Sequence, residues 1–213
     1  MITVFGEGRG FRVVWLLEEM GLPYRLRPVD LLAGVQKDTE FLAINPAGFI
    51  PAIQDGDVTM VESIAIMEYL IARYGPTNLA PDPHDPAFPA YQQFLHLGEA
   101  VPAIRARADR DNWTARQALE VFESRLGLVT QLARSPYLAG EAFTVADISV
   151  TYALRLARRG AGVTLGEAER DYMARTTARE AYERAMETCQ GTKAWLAAAS
   201  GQLRVLAHSV RAF

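Results

Sequence analysis

The sequence predicts two domains, a mixed α/β N-terminal domain of βαβ then ββα order and an all-helical C-terminal domain. Three observations predict this. The first 75 residues switch between strand-like and helix-like apolar spacing, and a 15-residue stretch, "GPTNLAPDPHDPAFP", then holds five of the eleven prolines. The rest of the chain is rich in helix formers and shows no alternating strand pattern. The boundaries read from this are 1–75, a linker over 76–89, and 90–213.

Taken in order, Ile2 to Phe5 reads as a short buried strand. Glycines 6, 8 and 10 then lead into a helix whose apolar positions Val13, Leu16, Leu17 and Met20 follow the i, i+3, i+4, i+7 spacing. Gly21 and Pro23 end it, and Tyr24, Leu26 and Val29 suggest a second strand, parallel to the first because a helix connects them. A helical turn is expected over 39–44, stopped before Pro46. Pro51 to Gln54 and Val58 to Val61 should form a hairpin around Asp55-Gly56. Ser63 is placed to cap the next helix, with Ile64, Met67, Ile71 and Tyr74 on one side and Ile66 and Leu70 widening the stripe. In the second half, "AFTVADISV" carries a capping box: Thr144 caps, Asp147 returns the bond, and Phe143 staples onto Ile148.

Composition narrows the function. The chain has 213 residues, 50% hydrophobic and 22% charged, with a net charge of −3 from 22 basic and 25 acidic side chains. It therefore has no general electrostatic reason to bind nucleic acid or an anionic membrane. A single cysteine, Cys189, excludes an intrachain disulfide framework and a cysteine zinc cluster, and fits a reducing, cytoplasmic setting. "MITVF" runs straight into a strand and lacks the basic and apolar regions of a signal peptide. His96 and Glu99 are three apart, but two ligands without a third predict no metal site.

The order of elements and a set of motifs carry a resemblance. "NPAGFIPAI" enters the ββα unit, "ESIAIMEYL" closes it, and "YLAGEAFTVADISV" follows in the helical part. With "WLLEEMGLPY", "FLHLGEA" and "TTAREAYERAM" as weaker matches, nearly the whole chain resembles the cytosolic glutathione transferases, and bacterial and fungal members most of all. The resemblance implies a thioredoxin-like N-terminal domain, glutathione as co-substrate, and a small hydrophobic electrophile as the other substrate. It further implies a role in detoxification and a homodimer.

It also implies a binding site. Pro51 would be cis, and the backbone of Ile50 would pair in antiparallel fashion with the cysteinyl unit of glutathione. Ser63 would meet the γ-glutamyl carboxylate and Glu62 the adjacent ammonium, because a helix start offers free N–H groups and partial positive charge. Gln36 or Lys37 could reach the glycyl end, and at Phe49, a binding position where many relatives carry a polar or basic residue, this chain offers only apolar surface. The electrophile pocket would lie between the domains, lined by Phe11, Tyr91, Phe94, Leu95 and Ala103, residues that a helical core would also claim.

The chain departs from the family at the group that holds the thiolate. A thiol with a pKa of about 8.5 is only slightly ionised at neutral pH, so the anion needs stabilisation. Aligned through Arg12-Val13, the serine or cysteine of many relatives falls on Glu7; aligned through Arg9-Gly10, the tyrosine falls on Phe5. Neither is a hydroxyl or thiol. Arg9 is the preferred substitute, with Arg12 and the backbone N–H groups of Gly8 to Phe11 as the others. That departure keeps a second reading open, a non-catalytic ligand-binding or interaction module on the same fold. A third takes "TVFGEGRG" as a dinucleotide-binding loop of an oxidoreductase with Asp30 on the ribose, but its third glycine is misplaced and only one parallel crossover precedes the hairpin.

Overall fold

The computed structural model describes residues 1–30, 34–35, 38–105, 128–158 and 164–190. Gln36 and Lys37 lie outside them, and Ala103 lies in a described helix whose side chain there is not described. The chain divides into two compact units, one of 1–66 with 180–213 and one of 67–179.

The first unit is built on a four-stranded mixed sheet. Strands β1 (Ile2–Phe5), β2 (Tyr24–Arg27), β3 (Ala52–Asp55) and β4 (Val58–Val61) lie in the order β2-β1-β3-β4. β1 and β2 are parallel, joined through helix α1 (Phe11–Met20) as the crossover requires, while β3 is antiparallel to both β1 and β4. One parallel pair and an antiparallel hairpin do not make the doubly wound sheet of a dinucleotide-binding fold. α1 is buried from Phe11 through Leu17, and Gly21 ends it at φ 62°, its N–H returned to the carbonyls of Leu17 and Glu18. Helix α2 (Thr39–Ile44) starts where the Asp38 carboxylate accepts from Phe41 N at 2.9 Å. The Arg27 guanidinium grips the same carboxylate at 2.8 and 2.9 Å, which holds its pKa below the ordinary aspartate value.

Three boundaries in this unit differ from the sequence reading, the first being that β2 ends at Arg27, short of Val29. Pro51, which has no N–H to give the ladder, precedes β3 instead of opening it, and the strand runs on to Asp55. Helix α3 (Ser63–Tyr74) takes its first intrahelical bond from Ile66 N to Glu62 O at 2.9 Å, so Glu62 is the cap residue and Ser63 the first helical residue. Ile64, Ile66, Met67 and Leu70 are buried in α3, whereas Tyr74 is exposed at its end.

In the second unit, helix α4 (Phe88–Arg105) begins at Phe88, two residues inside the expected linker, with Pro89 in the first turn where its missing N–H costs nothing. Leu79 is buried in that stretch and its carbonyl accepts from Val145 N at 2.9 Å. A short helix α5 (Leu128–Leu132) precedes α6 (Val145–Leu156) and α7 (Glu167–Thr177). α4 packs on α6 so closely that a Cβ on Gly98 would meet Ser149 Oγ at 2.2 Å, and that hydroxyl donates to Leu95 O at 2.8 Å.

The capping box is present. The fully buried Asp147 carboxylate accepts from Thr144 N at 2.8 Å, Thr144 Oγ1 at 3.1 Å, Leu138 N at 3.1 Å and Tyr172 Oη at 3.0 Å. Burial pushes its pKa above the ordinary aspartate value, and these donors pull it back.

Helix α8 (Glu180–Gln190) belongs to the first unit. It packs on α1: the Tyr182 ring stands edge-on to Trp15 at 4.9 Å and to Phe11 at 5.5 Å, and Arg184 donates to Glu18 at 2.8 Å. A helix of the C-terminal third thus completes the aromatic cover of α1.

Candidate functional site

Three backbone segments of the first unit meet at one end of the strands: the glycine loop after β1, the Ile50-Pro51 turn before β3, and the start of α3 after β4. The glycine loop lies against Ile50. A Cβ on Gly6 would fall 2.4 Å from Ile50 Cγ2, and one on Gly10 would fall 1.9 Å from Gly6 O and 3.4 Å from Pro51 Cβ. Gly6 also has φ 83°, and its N–H donates to Arg27 O at 2.9 Å. No other residue type allows this approach without moving backbone.

The Ile50-Pro51 peptide is cis. Asn45, itself buried, fixes the segment before it: its Nδ2 donates to Phe49 O at 2.7 Å and its Oδ1 accepts from Ala47 N at 3.2 Å. Gly48, at φ 70°, lets the loop close over Val35 and Leu42. The result presents Ile50 half-buried and leaves the Phe49 ring 69% exposed.

The register of β3 and β4 brings in the third segment. Ala52 faces Val61, so continuing the pairing by one residue sets Glu62 opposite Pro51. Glu62 is the one described non-glycine residue with positive φ, 69°, a conformation that costs a side-chain-bearing residue about 1–2 kcal/mol. Its side chain is exposed, while Ser63 is 3% exposed at the first helical position. Because the α3 ladder begins with Ile66 N, the N–H groups of Ser63, Ile64 and Ala65 lie outside it and make this helix start an anion-binding surface.

The residues weighed for the thiolate separate clearly. Phe5 is core: its ring lies 6.0 Å from Phe41 and packs with Val29 and Ala52, so it offers no reacting group. Glu7 is 2% exposed and accepts from Val29 N at 3.3 Å, tying the glycine loop to the segment after β2. Arg9 is half-buried in the turn, Arg12 is fully buried in α1, and Phe11 N donates to Glu7 O and Gly8 O at 3.0 and 3.3 Å.

Of the apolar set, Phe11 is buried beneath Trp15 and Tyr182 in the first unit. Tyr91, Phe94 and Leu95 are buried on α4 in the second, and burial with the Glu68 carboxylate pushes the Tyr91 phenol up to about 12. His96 lies 3.5 Å from Glu68, and the described residues contain no cluster of three potential metal ligands.

Sequence reasoning missed the left-handed Glu62, the Asn45 clamp on Phe49 and the structural use of Glu7. The first was signalled only by a glutamate in front of a helix that serine seemed to start, and the other two by no local pattern.

Comparison with known proteins decides the family. Residues 10–73 match the model of the glutathione S-transferase N-terminal domain. Glutathione S-transferase 3 of Zea mays is 36% identical over 158 residues, 64% of this chain and 68% of the relative. Glutathione S-transferase 3 of Schizosaccharomyces pombe is 30% identical over 176 residues, 72% of each chain. This chain belongs to the glutathione S-transferase family.

The transferase fold is matched in solved structures as well. A glutathione S-transferase from Actinobacillus pleuropneumoniae superimposes with a TM-score of 0.78 at 25% identity, over 89% of this chain and 93% of that one. The thioredoxin-like sheet followed by helices is therefore the family's fold in this transferase.

Proposed function

We propose that this transferase binds reduced glutathione along Ile50, with the γ-glutamyl end on Glu62 and Ser63, and transfers its thiol to a small hydrophobic electrophile. The observation that carries the reading is the left-handed Glu62 in front of Ser63, set beside the Ile50-Pro51 turn by the β3–β4 register. An amino acid's carboxylate and ammonium need an anion site and an anionic side chain within one residue's reach. The helix start with Ser63 is the first and the exposed Glu62 is the second. A chain bends a glutamate into a disfavoured conformation at a helix start where the bend aims its carboxylate usefully.

The thiolate falls to the turn before α1. Arg9 supplies charge and the N–H groups at the start of α1 supply oriented dipoles, and either lowers the thiol pKa. The chain acts as a cytoplasmic homodimer in detoxification.

Titration calorimetry with glutathione tests this. Ser63→Ala is expected to weaken binding by about 1–3 kcal/mol, the range for a lost hydrogen bond to a charged group. Unaltered affinity removes the contact, and no binding to the parent protein favours the interaction-module reading.

A further inference from the structure

We infer that Arg27 is a positioning residue for glutathione: through Asp38 it fixes helix α2, and α2 fixes the Phe49-Ile50 backbone along which the peptide lies. The inference rests on the glutathione reading above and deepens it. Arg27 is itself well anchored at the end of β2. Its carbonyl accepts from Gly6 N at 2.9 Å, and its guanidinium lies 5.7 Å from the centre of the Phe5 ring. The glycine loop and α2 are thereby both tied to one residue of the sheet.

The contacts run unbroken from Arg27 to the peptide-binding backbone. With six residues, α2 is too short to persist as a helix by itself, so its place is set by what grips it. At its start, the Arg27 fork donates to both oxygens of Asp38 at 2.8 and 2.9 Å and to Glu40 at 3.1 Å. Asp38 Oδ1 also accepts from Phe41 N at 2.9 Å, so the carboxylate that Arg27 holds is the one that caps the helix. The two side chains are 28% and 23% exposed, and a bidentate fork fixes direction as well as distance. At the far end, Asn45 N donates to Phe41 O at 2.8 Å while Asn45 Nδ2 donates to Phe49 O at 2.7 Å. Ile44 and Ile50 pack on the same cluster of Phe5, Val29, Phe41 and Ala52. A shift of α2 at Asp38 is therefore carried to the Phe49 carbonyl and to Ile50.

The test is calorimetry with reduced glutathione on the parent protein, Asp38→Asn, Arg27→Met, Arg27→Lys, and the protein carrying both Asp38→Asn and Arg27→Met. Asparagine keeps an oxygen to cap α2 and gives up the charge, so Asp38→Asn removes the grip and leaves the helix start. Asp38→Asn and Arg27→Met are each expected to weaken binding by about two- to tenfold, from an ordinary surface ion pair to a bidentate, partly shielded one. Together they should cost no more than the larger single loss, because both break one contact. Arg27→Lys keeps the charge without the fork and should restore part of the affinity lost in Arg27→Met. An Asp38→Asn protein within twofold of the parent overturns the inference, and Asp38→Asn decides this even where Arg27→Met does not fold. A loss in Arg27→Met alone overturns it too, since that makes Arg27 a direct contact of the peptide. So do losses that add in the double variant. Failure of the parent to bind would instead overturn the glutathione reading, and this inference with it.

Discussion

Replacing Glu62 by glycine should separate binding from stability. Glu62 sits at φ 69°, where a residue with a Cβ is disfavoured by about 1–2 kcal/mol and glycine is not. Glycine loses about 0.5–1 kcal/mol to the greater freedom of its unfolded chain. The balance for Glu62→Gly lies between zero and about +1.5 kcal/mol, or up to about 5 °C in Tm for a chain of this size. The helix bond from Ile66 N to Glu62 O uses the backbone and survives the change. Binding should move the other way. Loss of a carboxylate that meets the glutamyl ammonium costs about 1.5–3 kcal/mol, or about ten- to a hundredfold in Kd. Thermal unfolding and glutathione calorimetry on the same preparation read both quantities, and Glu62→Ala, which keeps the strain, should lose the affinity without the gain in Tm. A Glu62→Gly protein that binds glutathione normally would refute the assignment, and a fall in Tm of several degrees would refute the strain argument.

Gly10→Ala should destabilise the first unit, because its Cβ would lie 1.9 Å from Gly6 O and backbone must yield. A loss of about 1–3 kcal/mol in urea unfolding is expected, with weakened glutathione binding as the Ile50 wall shifts; an unchanged unfolding midpoint would contradict the packing. Cys189 is fully buried on α8, so Cys189→Ser should lower Tm by a few degrees through a buried hydroxyl and leave kcat/KM unchanged, while a large loss of activity would displace the proposed site.

Much of the fold was legible because its signals are local. The Asp55-Gly56 turn, the 3.6-residue stripe of α1 and the Thr144–Asp147 box each lie within a short window, and each appears where its residues predict. The ends of α3 and of the proline-rich stretch were less legible for a common reason. Serine and proline are both read as boundary residues, yet Ser63 and Pro89 are accommodated inside a first helical turn, where neither needs an intrahelical N–H partner. Membership of α8 in the first unit was illegible, since it is set by Tyr182 meeting Phe11 and Trp15 across more than 160 positions of sequence.

Glu7 shows how a residue can occupy an aligned position and serve another end. The family resemblance read from the sequence would put it at the position of a reacting serine or cysteine, and its charge alone argues against holding a thiolate there. The structure turns its carboxylate inward onto Val29 N, which a strand leaving the sheet would otherwise bury unpaired. The glycine loop is thereby braced at Glu7 on one side and by Ile50 on the other. A loop held at both edges can present Arg9 and the N–H groups of the α1 start in a fixed arrangement. Preorganised donors of that kind stabilise an anion without a hydroxyl, because they need no reorganisation when the charge forms.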